Sequence, residues 1–154
     1  MIDTPHIAEI AAQPTAIIRL TIPRAEIKVV MGPAHKELMA AVAAQGITPT
    51  GAWFTHQLRL DPATFDFEVG VPVPVMVAAA GRVTAGQLPA ATVARTVYHG
   101  PYEGLPGAWG EFGKWMKAEG HAAAPDLWEC YVAGPEASRD PVAWRTELTW
   151  PLKA

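Results

Sequence analysis

Cysteine is almost missing from this sequence: Cys130 is its single thiol. One thiol excludes an internal disulfide framework and suits a reducing compartment. Charge is scarce too, at 18% of 154 residues, with a net charge of −3 and no run of more than two basic neighbours. Phosphate binding needs a concentrated basic face, so direct nucleic-acid binding is not expected. No stretch is apolar for long enough to span a bilayer. Residues 1–6 lack the basic segment and apolar run of a signal peptide, so a cytoplasmic location is expected. The five histidines (His6, His35, His56, His99, His121) show no His-x-x-x-His spacing, and no Cys-x-x-Cys occurs. Neither a metal site nor a cofactor is therefore expected. Gly107, Gly110 and Gly113 fall within a predicted helix, outside the strand-turn-helix setting that cradles phosphate.

What is present describes a compact protein. Half of the residues are apolar, and the length suits one domain, 1–154, with a real core. Fifteen Pro and 13 Gly imply short elements joined by turns. Residues 6–11 read as a lead-in strand, broken at Gln13-Pro14, and residues 16–22 as a β-branched strand. Gly32-Pro33 reads as a helix start, with Leu38, Met39, Val42 and Ala43 at helical spacing and Gly46 as the stop. Strands follow at 51–58 and 64–73. Residues 72–91, rich in Pro, Gly and Ala, read as a connection. The order then repeats: a strand at 92–98, a helix at 106–119 striped by Trp109, Phe112, Trp115 and Met116, a strand at 127–132, and a last strand at 142–152.

The two halves align. Asp61-Pro62 to Val73 superposes without a gap on Asp140-Pro141 to Leu152, which sets Glu68 against Glu147 at an offset of 79. The glycine stops, Gly46 and Gly120, lie 74 apart, and Trp53 and Trp128 lie 75 apart. The repeat runs roughly over 14–74 and 92–152. Each copy holds one helix and about three strands, too few to bury its own sheet face. The expected fold is α+β: pseudo-twofold strand-helix-strand-strand units forming an antiparallel sheet, two helices on one face, and a central ligand cleft.

The ordered set Tyr98-His99-Gly100-Pro101-Tyr102-Glu103-Gly104-Leu105, Trp109, Trp115, Gly120, Trp128-Glu129-x-Tyr131, Asp140-Pro141 and Thr146-Glu147-x-x-x-Pro151-Leu152 resembles the GyrI-like (AraC-type effector-binding) small-molecule-binding superfamily. In the first half, Gly46-Ile47-x-Pro49 and Phe67 to Val73 fit as well. The resemblance implies a cleft for lipophilic, often cationic aromatic molecules, with a glutamate of the last strand at its base. Glu147 matches that glutamate. It also implies a choice of roles: drug or toxin sensing or sequestration, hydrolysis of strained cyclopropane toxins, or gyrase inhibition through a protein partner that stays unidentified. The length leaves no room for a helix-turn-helix beside the domain, so a stand-alone member is expected.

Alternation places Trp144, Thr146, Leu148 and Trp150 on one face of the last strand, and Arg145, Glu147 and Thr149 on the other. The first face reads as core against helices, the second as cleft or solvent. In an aromatic cleft, loss of water would raise the proton affinity of Glu147, which could then hold a cation or act as general base on water. Glu68 is its counterpart. Glu129 and Tyr131 share a face opposite Trp128 and Cys130. Tyr131, Trp109, Tyr98, Trp53, Phe54 and Tyr102 are the candidate walls, since flat aromatics beside a carboxylate suit a delocalised cation. For each of them ordinary core packing remains the competing reading.

Overall fold

The computed structural model describes residues 1–153. The chain divides into two compact units, residues 11–90, and residues 1–10 together with the chain from Ala91 onward. The architecture is α+β, with antiparallel strands and two α-helices. Among the described residues, no helix is long and apolar enough to cross a membrane.

The first unit contains β2 (Gln13–Pro23), α1 (Ile27–Ala44), β3 (Phe54–Leu60), β4 (Thr64–Pro72) and β5 (Val83–Leu88). Its strands lie in the order β3-β4-β2-β5. Helix α1 sets Ala34, Leu38 and Val42 on Ala16, Ile18, Val69 and Val71, all buried. The other sheet face presents Ile17, Gly70 and Phe54, which face one another across β2, β4 and β3. Strand β3 starts three residues later than the expected residue 51, and the unit departs from the sequence expectation elsewhere too. Helix α1 begins at Ile27, after a 3-10 turn at Arg24–Glu26, so Pro33 lies inside it and does not open it. Six helical residues precede Pro33, and the ring deletes one N–H bond without ending the helix. Strand β2 runs through Pro14, which pairs opposite Gln87. That partner belongs to β5, a strand within the stretch expected to be a connection. Its sequence Val-Thr-Ala-Gly-Gln-Leu carries little β-propensity of its own, and pairing with β2 supplies what propensity does not.

The second unit contains β1 (His6–Ile10), β6 (Ala91–His99), α2 (Leu105–Ala118), β7 (Leu127–Ala133) and β8 (Arg145–Pro151). Its strands lie in the order β1-β6-β8-β7. Helix α2 carries Leu105, Ala108, Phe112 and Met116 onto Ala94, Tyr98 and Leu148. Both units thus run strand-helix-strand-strand, as β2-α1-β3-β4 and β6-α2-β7-β8. The register corrects one alignment. Trp128 pairs with Thr149, and Phe54 pairs with Gly70, the residue 79 positions before Thr149. The counterpart of Trp128 is therefore Phe54, not Trp53.

Candidate functional site

In β7 and β8 the pairs are Trp128–Thr149, Glu129–Leu148 and Cys130–Glu147. Paired residues share a sheet face. Leu148 packs under α2, so Glu129 points to the helix side, and Glu147 points away from it.

Glu129 is half-buried and bound at both oxygens. Trp109 Nε1 on α2 donates to Oε1 at 2.6 Å, and the Tyr131 hydroxyl donates to Oε2 at 2.8 Å. Both donors are neutral. Burial raises the proton affinity of Glu129 above the ordinary carboxylate range, and the Trp109 and Tyr131 hydrogen bonds only partly offset it. Around Glu129, Tyr131 meets the edge of Tyr102 at 5.7 Å between ring centroids, and Tyr102 leans on Trp144 at 4.9 Å. Trp109 stacks on Phe112 at 5.8 Å and meets Trp150 edge-on at 5.4 Å. Tyr102 lies in a 3-10 turn, Tyr102–Gly104, just before α2. Burial, then Glu136 and Glu129, push its phenol upward.

Glu147 stands elsewhere. It faces the helix-free side, with Arg95 Nε 3.6 Å from Oε1. Arg95 also donates to Thr149 Oγ1 at 3.1 Å. An acid already matched by a guanidinium, on the face opposite Trp109 and Tyr131, cannot be the carboxylate that those side chains hold. Trp109 and Tyr131, two of the expected walls, are thus gathered around Glu129, and Glu147 lies on the other face of the same sheet. Arg145 donates to the carbonyls of Val142 and Trp144. Cys130 lies beside Glu147, and burial first, then Glu147, pushes its thiol up to about 12.

The other expected walls separate. Tyr98 is core on the α2 side, its hydroxyl donating to the Pro101 carbonyl at 2.8 Å. In the first unit, Trp53 stacks on His35 of α1 at 4.2 Å between ring centroids. Phe54 is buried on the helix-free face, where Glu68 also points, 3.6 Å from His56 Nδ1. Within the second unit, Tyr131, Trp109 and Tyr102 are brought together beside Glu129, and Glu147 lies on the opposite sheet face. The sequence reading passed over Glu129 although its shared face with Tyr131 was visible. Among the described residues, no group of three or more His, Cys, Asp or Glu side chains is placed to hold a metal ion.

The chain resembles the C-terminal domain of EcmrR, with a TM-score of 0.83 and 24% identity over 97% of both chains. It spans 57% of the EcmrR chain in that protein's DNA complex. A hydrolase encoded by lin2189 of Listeria innocua has a TM-score of 0.70 at 12% identity, over 97% of this chain and 91% of the other. SAV2435 bound to tetraphenylphosphonium has a TM-score of 0.72 at 11% identity, over 99% of this chain and 95% of the other. None of the curated proteins matches the sequence. At these identities the solved structures show a shared fold. The sequence itself matches the GyrI-like small molecule binding domain over residues 3–153, nearly its whole length, and the chain belongs to that family.

Proposed function

We propose that this small-molecule-binding domain takes up lipophilic cationic aromatic compounds at Glu129, with Trp109, Tyr131 and Tyr102 as walls. One observation carries the reading: a half-buried carboxyl held by two neutral donors and bordered by aromatic rings. Its proton affinity is high because burial disfavours the charged form. An incoming cation stabilises that form, and the site then releases its proton. Flat rings add cation–π attraction without demanding one ligand shape. SAV2435, of the same fold, binds such a cation, tetraphenylphosphonium.

Titration of tryptophan fluorescence with tetraphenylphosphonium tests this. Glu129→Gln keeps the shape, and its amide can accept from Trp109 and donate to the Tyr131 hydroxyl, but it loses the charge. It is expected to weaken the cation about tenfold or more, near 1.4 kcal/mol, and to spare the neutral triphenylphosphine oxide. Wild-type affinity for the cation should also rise with pH through the raised pKa of Glu129. Equal loss for both compounds, or for neither, would overturn the assignment.

A second reading uses the same group. A carboxyl whose proton affinity is raised by burial, hydrogen-bonded to a tyrosine, suits acid–base work on water and a strained electrophilic ring. The Listeria innocua neighbour is a hydrolase. Turnover of an activated cyclopropane, abolished in Glu129→Gln while neutral-ligand binding persists, would favour it over simple binding.

A further inference from the structure

Gly134 follows β7 and opens a turn. Its N–H donates to Glu136 Oε1 at 3.0 Å, and its carbonyl accepts from Ala137 N at 2.9 Å and Ser138 N at 3.2 Å. The turn is tied to the aromatic row, because Trp144 Nε1 donates to the Ser138 carbonyl at 2.9 Å. The positive-φ glycines are Gly46, Gly81, Gly100 and Gly120. Gly134 is not one of them, so its backbone is open to any residue. What it lacks is space. A Cβ there would collide with the Tyr102 hydroxyl and lie 3.0 Å from Glu136 Oε2. Glu136 is exposed and ends a flexible side chain, so it can yield. The Tyr102 hydroxyl ends a rigid ring set between Tyr131 and Trp144, so it cannot move without moving the wall.

We infer that Gly134 is a specificity-determining position: its missing side chain lets Tyr102 stand against Tyr131 and Trp144, and that placement sets which aromatic ligands the Glu129 site admits. The inference rests on the Glu129 reading for its ligand class. The positioning of Tyr102 stands on geometry alone. Gly134 acts through Tyr102 and need not touch the ligand. A methyl group at position 134 displaces the ring by way of its oxygen, which shrinks or tilts the wall available to a bulky cation. Removing that oxygen removes the collision.

A double-mutant cycle reads this directly. Gly134→Ala is expected to weaken tetraphenylphosphonium about tenfold when Tyr102 is present. In the Tyr102→Phe background the same substitution is expected to weaken it about twofold or less, whatever Tyr102→Phe does alone. An equal loss in both backgrounds, or no loss in either, overturns the inference. A ligand-free arm follows the phenol by NMR of ring-labelled tyrosine. In Gly134→Ala the Tyr102 titration should fall toward the ordinary tyrosine range as the hydroxyl moves to water. An unchanged titration refutes the positioning claim even where affinity drops. If the wild-type chain binds neither cation nor neutral analogue, the specificity claim falls together with the Glu129 reading. The titration arm then separates that failure from one of the Gly134–Tyr102 contact.

Discussion

Glu129 couples the site to the stability of the unit around it. Its proton affinity is raised in the folded chain, mainly by burial. The folded state therefore holds the proton over a pH range in which the unfolded chain has released it. Below the ordinary glutamate range both states are protonated, and the carboxyl causes no loss. As pH rises from there through the raised folded value, ionisation brings a charge into a site short of water, and stability declines. Glu129→Gln removes this dependence. Urea unfolding at a series of pH values should show wild-type stability falling relative to Glu129→Gln as pH rises above the ordinary glutamate range, and parallel curves would contradict the raised proton affinity. Tetraphenylphosphonium should cancel part of the decline by matching the charge. The sequence half-disclosed this residue. Alternation within one strand put Glu129 beside Tyr131. It gave no reason to prefer Glu129 over Glu147, because both are single acids in apolar strands. Only the partners distinguish them: Arg95 for Glu147, and Trp109 and Tyr131 for Glu129.

The limit at the scale of elements is one of phase. A period of two says which residues of a strand share a face, but not which face of the neighbouring strand matches it. The alternation of β8 was legible: Thr146 and Leu148 are buried on the helix side. That Glu129 shares their side follows from the Glu129–Leu148 pairing, a relation between residues 19 apart in sequence that alternation within each strand leaves open. Helix α2 was read nearly to its ends, because Pro106 opens it and Gly120 closes it at positive φ. Strand β5 was missed because it has no apolar alternation to announce it. The repeated register also explains a close approach that sequence cannot show. Phe54 occupies the place of Trp128, and its ring lies on Gly70 of β4. A Cβ at Gly70 would lie 2.5 Å from Phe54 Cζ and 3.0 Å from Ile17 Cγ2. Gly70→Ala should therefore destabilise the chain by about 1–3 kcal/mol through overpacking. Phe54→Leu in the same chain should recover part of that loss. Denaturant midpoints at constant slope provide the measurement, and a neutral Gly70→Ala would show that the ring has room to retreat.

The two units differ in how the whole chain builds them. Residues 11–90 form one unit from continuous sequence, whereas the unit bearing Glu129 draws its first ten residues from the other side of that insertion. Closing such a span is not prohibitive, since loop entropy grows only logarithmically, by about 0.6 kcal/mol per doubling of length. The return is local and specific. Strand β1 pairs with β6 from His6–Arg95 to Ile10–Ala91. Ahead of it, Asp3 N donates to the Val97 carbonyl at 2.9 Å, and Thr96 Oγ1 donates to the Asp3 carbonyl at 2.7 Å. His99 Nε2 lies 2.7 Å from Asp3 Oδ1. Strand β6 carries Ala94 and Tyr98, on which α2 rests, and α2 carries Trp109 to Glu129. Removing residues 1–10 would leave β6 as an open edge and weaken the platform beneath that helix. Amide hydrogen exchange in the truncated chain should accelerate in β6 and α2 while β2 and β4 keep their protection. Tetraphenylphosphonium affinity should fall with the protection of α2, although no residue of the Glu129 site has been touched. If β6 and α2 stay as protected as before, the first ten residues are dispensable, and the second unit is self-sufficient from Ala91 onward.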